Sequence, residues 1–151
     1  PREPAPGETE CSMIIGHAHT CFTVSNLDQA IAFYVDRLGL SPAFEFRRDD
    51  GARYGVYLKI GPRAFIELFQ GDLAEKAERQ SYAHICLECD DVPDTVEVLR
   101  SRGVEVSEAR LGMDRSWQAW VTDPFGNRIE LHSYTPESWQ APHLDRAPSA
   151  P

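Results

Sequence analysis

Between residues 17 and 70 the apolar positions change period twice. Residues 17–24 alternate apolar and polar, as in a half-buried strand. Leu27, Ala30, Ile31, Tyr34 and Leu38 then recur at helical spacing, with Asn26 or Asp28 available as the cap and Gly39 as the stop. Three more strand patterns follow, at about 43–47, 54–60 and 63–69, separated by the turn signals Asp50-Gly51 and Gly61-Pro62. The order is then repeated. Residues 82–89 alternate, and Asp91 caps a predicted helix over 93–102 whose proline falls in the tolerant first turn and which Gly103 ends. Strands are predicted near 104–108, 117–122 and 128–132, the last pair joined by Asp123-Pro124-Phe125-Gly126-Asn127. The unit is βαβββ, present twice. This predicts an α+β fold in one domain over 13–134, with modules at about 13–70 and 82–134 forming a curled eight-stranded mixed sheet. The polar stretch 71–81 reads as the linker, with a helical turn around 73–79. Residues 1–12 and 135–151 are proline-rich and aperiodic and read as unstructured ends, the second pinned at its start by Trp139.

The repetition reaches individual residues. His19-Thr20-Cys21-Phe22-Thr23-Val24 returns 65 positions later as His84-Ile85-Cys86-Leu87-Glu88-Cys89. Ala64-Phe65-Ile66-Glu67-Leu68-Phe69 returns 63 positions later as Asn127-Arg128-Ile129-Glu130-Leu131-His132. Each copy therefore carries a His near its start and a Glu near its end. Imidazole and carboxylate together suit divalent transition ions, so the four form a candidate metal constellation. A lone strand His is usually a satisfied core or edge residue and a lone strand Glu is usually solvated. Two unrelated solvated carboxylates, however, have no reason to follow Ile in matching strands of both copies. Alternation turns Glu67, His84 and Glu130 away from the purely aliphatic faces formed by Ile66 and Leu68, Ile85 and Leu87, and Ile129 and Leu131. The aliphatic faces should meet the helices, and the polar faces should line a cavity collecting His, Glu, His and Glu. His17 is a rival to His19 on the same strand face, and His132 is a rival or partner of Glu130. Glu88 shares the face of His84 and reads as an additional solvated carboxylate, and His143 falls in the tail.

Composition narrows the class. The 151 residues are 42% hydrophobic, enough for a core without staples. A net charge of −9 without a basic stripe argues against a nucleic-acid surface. No apolar run is long enough to cross a membrane, and residues 1–10 lack the layout of a signal peptide, so a cytoplasmic location is the expectation. Cys86 and Cys89 are spaced as C-x-x-C, but on a strand positions three apart face opposite ways, so the two thiols do not meet one ion. Buried, unpaired cysteines are expected, with Cys11 free in the loose N-terminal segment.

These residues resemble the vicinal oxygen chelate superfamily, which includes glyoxalase I, methylmalonyl-CoA epimerase, extradiol dioxygenases, fosfomycin-resistance transferases and bleomycin-binding proteins. The resemblance runs from His17 to about Tyr134. It rests on His19-Thr20-x-Phe22-x-Val24, Leu27-Asp28, Phe33-Tyr34, Leu38-Gly39-Leu40, Phe65-Ile66-Glu67-Leu68, His84-Ile85-x-Leu87 and Asp123-Pro124-x-Gly126-Asn127-x-Ile129-Glu130-Leu131. It implies two modules cupping one divalent ion. The pattern of bacterial glyoxalase I places ligands at the positions matched by His19, Glu67, His84 and Glu130, which favours His19 over His17. Bleomycin-binding members have usually lost the ligands. Extradiol dioxygenases and fosfomycin transferases use a His-His-Glu set without the carboxylate matched by Glu67, and the epimerase often carries an amide there. The resemblance therefore implies a metal-dependent lyase or isomerase of the lactoylglutathione lyase type.

Two imidazoles and two carboxylates would leave two of six positions round a nickel, cobalt, zinc, manganese or iron ion. A substrate with vicinal oxygens would fill both, and an α-proton would leave through an enediolate. By resemblance Glu130 is the base, with Glu67 the alternative. The resemblance also implies a homodimer, pairing His19 and Glu67 of one chain with His84 and Glu130 of the other; the alternative is a site closed within one chain. Some features fall outside a glutathione-dependent pattern. The segments Ser116-Trp117-Gln118-Ala119-Trp120 and Tyr134-Thr135-Pro136-Glu137-Ser138 map onto no glutathione site. Trp120 is expected in the core and Trp117 near the mouth of the site. Arg47, Arg48, Arg53, Lys59 and Arg63 are candidates for substrate carboxylates, though surface basic residues are more often solvated. Three competing readings follow: a glutathione-independent epimerase or isomerase of a hydroxy-ketone or sugar-derived substrate, an extradiol-type dioxygenase, and a metal-containing binding or resistance protein without turnover.

Overall fold

Each apolar stripe becomes one side of a small sheet with a helix laid against it. The structure, a computed structural model, describes residues 17–74 and 82–144. The N-terminal segment with Cys11 and residues 75–79 of the expected helical turn lie outside the described residues. Module one runs β1 (His19–Val24), α1 (Leu27–Ile31) continuing as a π-helical turn (Ala32–Arg37), β2 (Ser41–Arg47), β3 (Arg53–Lys59) and β4 (Phe65–Gln70). Module two runs β5 (Ile85–Glu88), α2 (Val92–Ser101), β6 (Arg110–Leu111), β7 (Trp117–Thr122) and β8 (Arg128–Ser133).

The eight strands form two four-stranded sheets, ordered β1-β4-β3-β2 and β5-β8-β7-β6. In each, the first strand pairs parallel with the last and the remaining pairs are antiparallel. The topologies are identical, as the duplicated sequence requires. Both helices start on a side-chain cap: Asn26 accepts from the Gln29 amide at 2.9 Å, and Asp91 from the Asp94 amide at 2.8 Å. Gly39 and Gly103 end them at φ 80° and 72°.

The aliphatic strand faces form the core as expected. Leu58, Ile66, Leu68 and Ile129 are fully buried, and Leu131 nearly so, against Leu27, Ala30 and Tyr34 in module one and Val92, Val96 and Leu99 in module two. The first helix departs from the expected period. The Leu38 amide reaches back five residues to the Phe33 carbonyl, and the widened turn brings both Phe33 and Tyr34 inside. Tyr34 uses that position to donate to Asp123 Oδ2 at 2.8 Å, a buried hydrogen bond between the modules. The helix ends also interlock, since Arg102 donates to the Arg37 carbonyl at 2.9 Å and Arg37 to the Gly103 carbonyl at 3.3 Å.

Two expectations require correction. The strand expected over 104–108 is reduced to a bridge between Val106 and Val121, and pairing resumes only at β6. Ser107 is the reason: its hydroxyl accepts the Trp120 amide at 2.9 Å, taking the place of a main-chain ladder bond. The C-terminal segment, expected to be loose, is anchored through residue 144. Ser138 is buried and accepts from Ser116 Oγ at 2.9 Å, Gln140 donates to Asp114 at 2.7 Å, and Ala141–His143 form a 3-10 turn. Trp139, expected to pin this segment, is 63% exposed.

Candidate metal and substrate site

Strand register determines what surrounds each candidate ligand. In module one Glu67 on β4 stands opposite Cys21 on β1 and Tyr57 on β3. In module two Glu130 on β8 stands opposite Cys86 on β5 and Trp120 on β7. Directly opposed residues share a sheet face. Each module thus presents the same four residue classes on the side away from its helix: a His, a Cys, an aromatic and a Glu.

The distances repeat as well. His19 Nε2 lies 3.4 Å from Glu67 Oε2, and His84 Nε2 lies 3.0 Å from Glu130 Oε2. Both carboxylates are 13% exposed, while the imidazoles are more open at 44% and 33%. An aromatic edge steadies each imidazole. The Tyr57 ring is 5.7 Å from that of His19, and the Trp120 ring 4.9 Å from that of His84. The Tyr57 hydroxyl also approaches His19 Nδ1 at 3.4 Å, and its hydrogen bond to Glu67 raises its pKa above the ordinary value. Arg128 lies over the Trp120 ring, 4.3 Å from its centre.

The cysteines are less enclosed than expected. Cys21 and Cys86 are exposed, and Cys89 is half-buried. Partial desolvation and the hydrogen bond to Glu67 push the Cys21 thiol up to about 11. Desolvation followed by the Glu130 charge pushes the Cys86 thiol up to about 12. His17 turns to Thr20 Oγ1 at 3.1 Å and is exposed. His132, only 10% exposed, places Nδ1 3.4 Å from Glu130 Oε1, the oxygen that does not face His84.

The four predicted ligands form two pairs, His19 with Glu67 and His84 with Glu130, each on its own sheet. Among the described residues, the one group that brings three donor atoms within 4.8 Å of one another is Cys86, Glu130 and His132. Among the described residues the donor atoms of the two pairs do not gather within 4.8 Å of one another. Each pair, with the polar face of its own sheet, forms a half-cup.

The cups differ in their walls. In module one, register puts Phe44, Phe46, Tyr57, Phe65 and Phe69 on the Glu67 face, and Phe44 is 50% exposed. Gly55 lies between them, and a Cβ there would stand 2.4 Å from Phe69 Cε1 and 3.2 Å from Phe46 Cδ2. In module two the corresponding face carries Arg110, Gln118, Thr122, Arg128 and His132. Trp120 is therefore a wall of the cup and not the core residue expected. Trp117 stands opposite Ser133 on the other face, where it lines a cavity of about 550 Å³ with Leu111, Asp91, Tyr134 and Pro136, and Tyr134 packs in turn on His132 at 4.8 Å. Arg47 and Arg53 both bond Glu45, Arg53 also pairs with Asp28, and Arg48 sits over Tyr54. Tyr57, Trp120, Cys21 and Cys86 were absent from the sequence-derived site. Their signal was the pairing of their strands with those of Glu67 and Glu130.

Residues 16–131 match the glyoxalase/bleomycin resistance protein/dioxygenase superfamily. The chain belongs to this superfamily. It is 30% identical over 123 residues to a probable lactoylglutathione lyase of Synechocystis sp., an alignment covering 75% of this chain and 91% of that protein. It is 31% identical over 121 residues to the metallothiol transferase FosB of Staphylococcus epidermidis, covering 78% and 80%. Among solved structures, TnmS3, an antibiotic binding protein from a Streptomyces species, superposes with a TM-score of 0.64 at 25% identity, covering 79% of this chain and 95% of that one. The family thus spans lyases, transferases and binding proteins, and members hold a divalent metal. The resemblance drawn from the sequence and the duplicated α+β fold are both confirmed. Among the described residues no helix is long and apolar enough to cross a membrane.

Proposed function

We infer that the protein is a divalent-metal-dependent lyase or isomerase of the glyoxalase type, which moves a proton next to the carbonyl of a substrate with vicinal oxygens. The observation that carries this reading is the paired geometry: a His and a Glu at 3.4 Å in one module and at 3.0 Å in the other, at matching strand positions. Two donors each roughly 2.1 Å from one ion, at right angles, lie roughly 3.0 Å apart, so each pair is spaced as half of a coordination sphere. His19, Glu67, His84 and Glu130 would hold the ion, the second pair supplied by a partner chain in a homodimer. The relative named as a probable lactoylglutathione lyase supports the same class.

The bound ion supplies Lewis-acid polarisation of the carbonyl, which acidifies the adjacent C–H. Glu130 takes the α-proton on Oε1, the oxygen turned away from His84, and returns it at the neighbouring carbon. Glu67 has the same burial but only Phe69 where Glu130 has His132, so it acts chiefly as a ligand. His19 and His84 are held in orientation by Tyr57 and Trp120.

The test is α-proton exchange into deuterated water, followed by NMR on the hemithioacetal of a 2-oxoaldehyde with glutathione. Glu130→Gln should keep much of the metal while lowering exchange by roughly 10²–10⁴. Glu67→Gln should lose a comparable share of metal and retain more exchange. Equal losses would assign the base role to both carboxylates. No exchange from the metal-loaded protein on any α-hydroxy carbonyl would sink the enzyme reading in favour of binding without turnover. The aromatic strip of module one favours a second reading, a glutathione-independent isomerase acting on a hydroxy-ketone with an apolar flank. Exchange on such a ketone without glutathione would select it.

A further inference from the structure

The duplication is broken beside Glu130 in a way that the lyase reading leaves unused. In module one the strand pair β1–β4 presents His19, Cys21 and Thr23 beside Phe65, Glu67 and Phe69. In module two β5–β8 and the residue before it present His84, Cys86 and Glu88 beside Arg128, Glu130 and His132. His, Cys and Glu are common to both. His132 replaces Phe69, adding an imidazole where the first module has a ring without a donor.

We propose that Cys86, Glu130 and His132 form a second metal position, contained within one chain, that takes a thiophilic divalent ion such as zinc or cobalt. Their donor atoms lie within 4.8 Å of one another. Donors at about 2.0–2.3 Å from one tetrahedral ion are roughly 3.4–3.6 Å apart, so small side-chain adjustments close the site. Glu130 and His132 alternate on one strand, already 3.4 Å apart, and Cys86 is the register partner of Glu130 on the neighbouring strand. The backbone of two hydrogen-bonded strands therefore fixes all three. The two positions use opposite oxygens of one carboxylate: Oε2 faces His84 and Oε1 faces His132. The ligand sets also differ in chemistry. The paired His and Glu residues offer only nitrogen and oxygen, whereas a thiolate selects softer ions. The fourth tetrahedral place is left to water or to Glu88, the register partner of His132.

One consequence rests on the lyase reading. An ion at the second position occupies the oxygen that takes the α-proton, so filling it should slow exchange without displacing the first ion.

The experiment is cobalt titration of the whole reduced chain, read by near-ultraviolet thiolate-to-cobalt absorption and by metal bound per chain. The expected result is a thiolate band that appears in the natural protein, persists in His19→Ala and Cys21→Ser, and is lost in Cys86→Ser and in His132→Gln, with about one ion per chain fewer at saturation. Far-ultraviolet circular dichroism verifies that the variants are folded. Absence of any thiolate band, or a band insensitive to Cys86→Ser, would overturn the proposal. So would a band that vanishes in His19→Ala, because the thiol would then serve the paired site. Where exchange activity is found, rising zinc should inhibit it in the natural protein and spare Cys86→Ser; equal inhibition of both would overturn the inhibitory role. A protein that shows the band but no exchange under any metal would retain this site while losing the lyase reading.

Discussion

At the scale of single residues, small differences between the two copies set the wall of each cup. Phe69 and His132 occupy matching positions, and so do Phe65 and Arg128. One cup becomes an aromatic wall, the other a polar one with a spare donor. Gly55 makes the aromatic wall possible, because the Phe69 ring occupies the space that any side chain at position 55 would need. Phe69 packs at 5.1 Å from Phe46 and 5.8 Å from Tyr54, so a displaced ring disturbs the strip on both sides. Gly55→Ala should therefore cost about 1–3 kcal/mol of stability, the usual range for overpacking, measured by urea denaturation. A change within about 0.5 kcal/mol would mean that the ring swings outward freely and that the strip is not a fixed surface.

At the scale of elements, the caps and stops were legible because they are local. Asn26, Asp91, Gly39 and Gly103 act within one turn of chain, and all four do what their positions imply. Asp91 begins the helix that covers the second sheet with Val92, Val96 and Leu99. Asp91→Ala should destabilise the protein by about 1 kcal/mol in the same urea measurement, and Asp91→Asn, which keeps the acceptor, should restore most of it. Failure of Asn to rescue would show that the carboxylate has a further role at the neighbouring cavity. Elements that depend on distant partners were not legible. The shortened β6 depends on Ser107 meeting Trp120, and the ordered C-terminal segment depends on Ser138 reaching Ser116, contacts across 13 and 22 positions. The site divides in the same way. Alternation alone turned Glu67 and Glu130 away from the core, so their side of the sheet could be read from the chain. Tyr57, Trp120 and the two cysteines come beside them only through register, which no local pattern states.

At the scale of the whole molecule, the two modules meet along β1 and the start of β5, where Phe22 packs on Tyr82, and at the ends of their helices. The buried Tyr34–Asp123 hydrogen bond and the reciprocal Arg37 and Arg102 contacts tie the modules together, and the two His/Glu pairs lie on separate sheets. On the proposed reading a site of four ligands would draw on a second copy, and twofold symmetry would supply it: module one of each chain would meet module two of the other, giving two equivalent sites per dimer. Each ion would bridge two chains, so metal binding and association must reinforce each other by mass action. Sedimentation at micromolar concentration should show metal addition shifting the protein toward a dimer. Chelation should reverse the shift, and His19→Ala should weaken it while leaving any ion held by Cys86 and His132 in place. Acidification should act like chelation, since a ligating imidazole must be neutral. A protein that remains monomeric while binding an ion whose affinity depends on both His19 and His84 would sink the two-chain site.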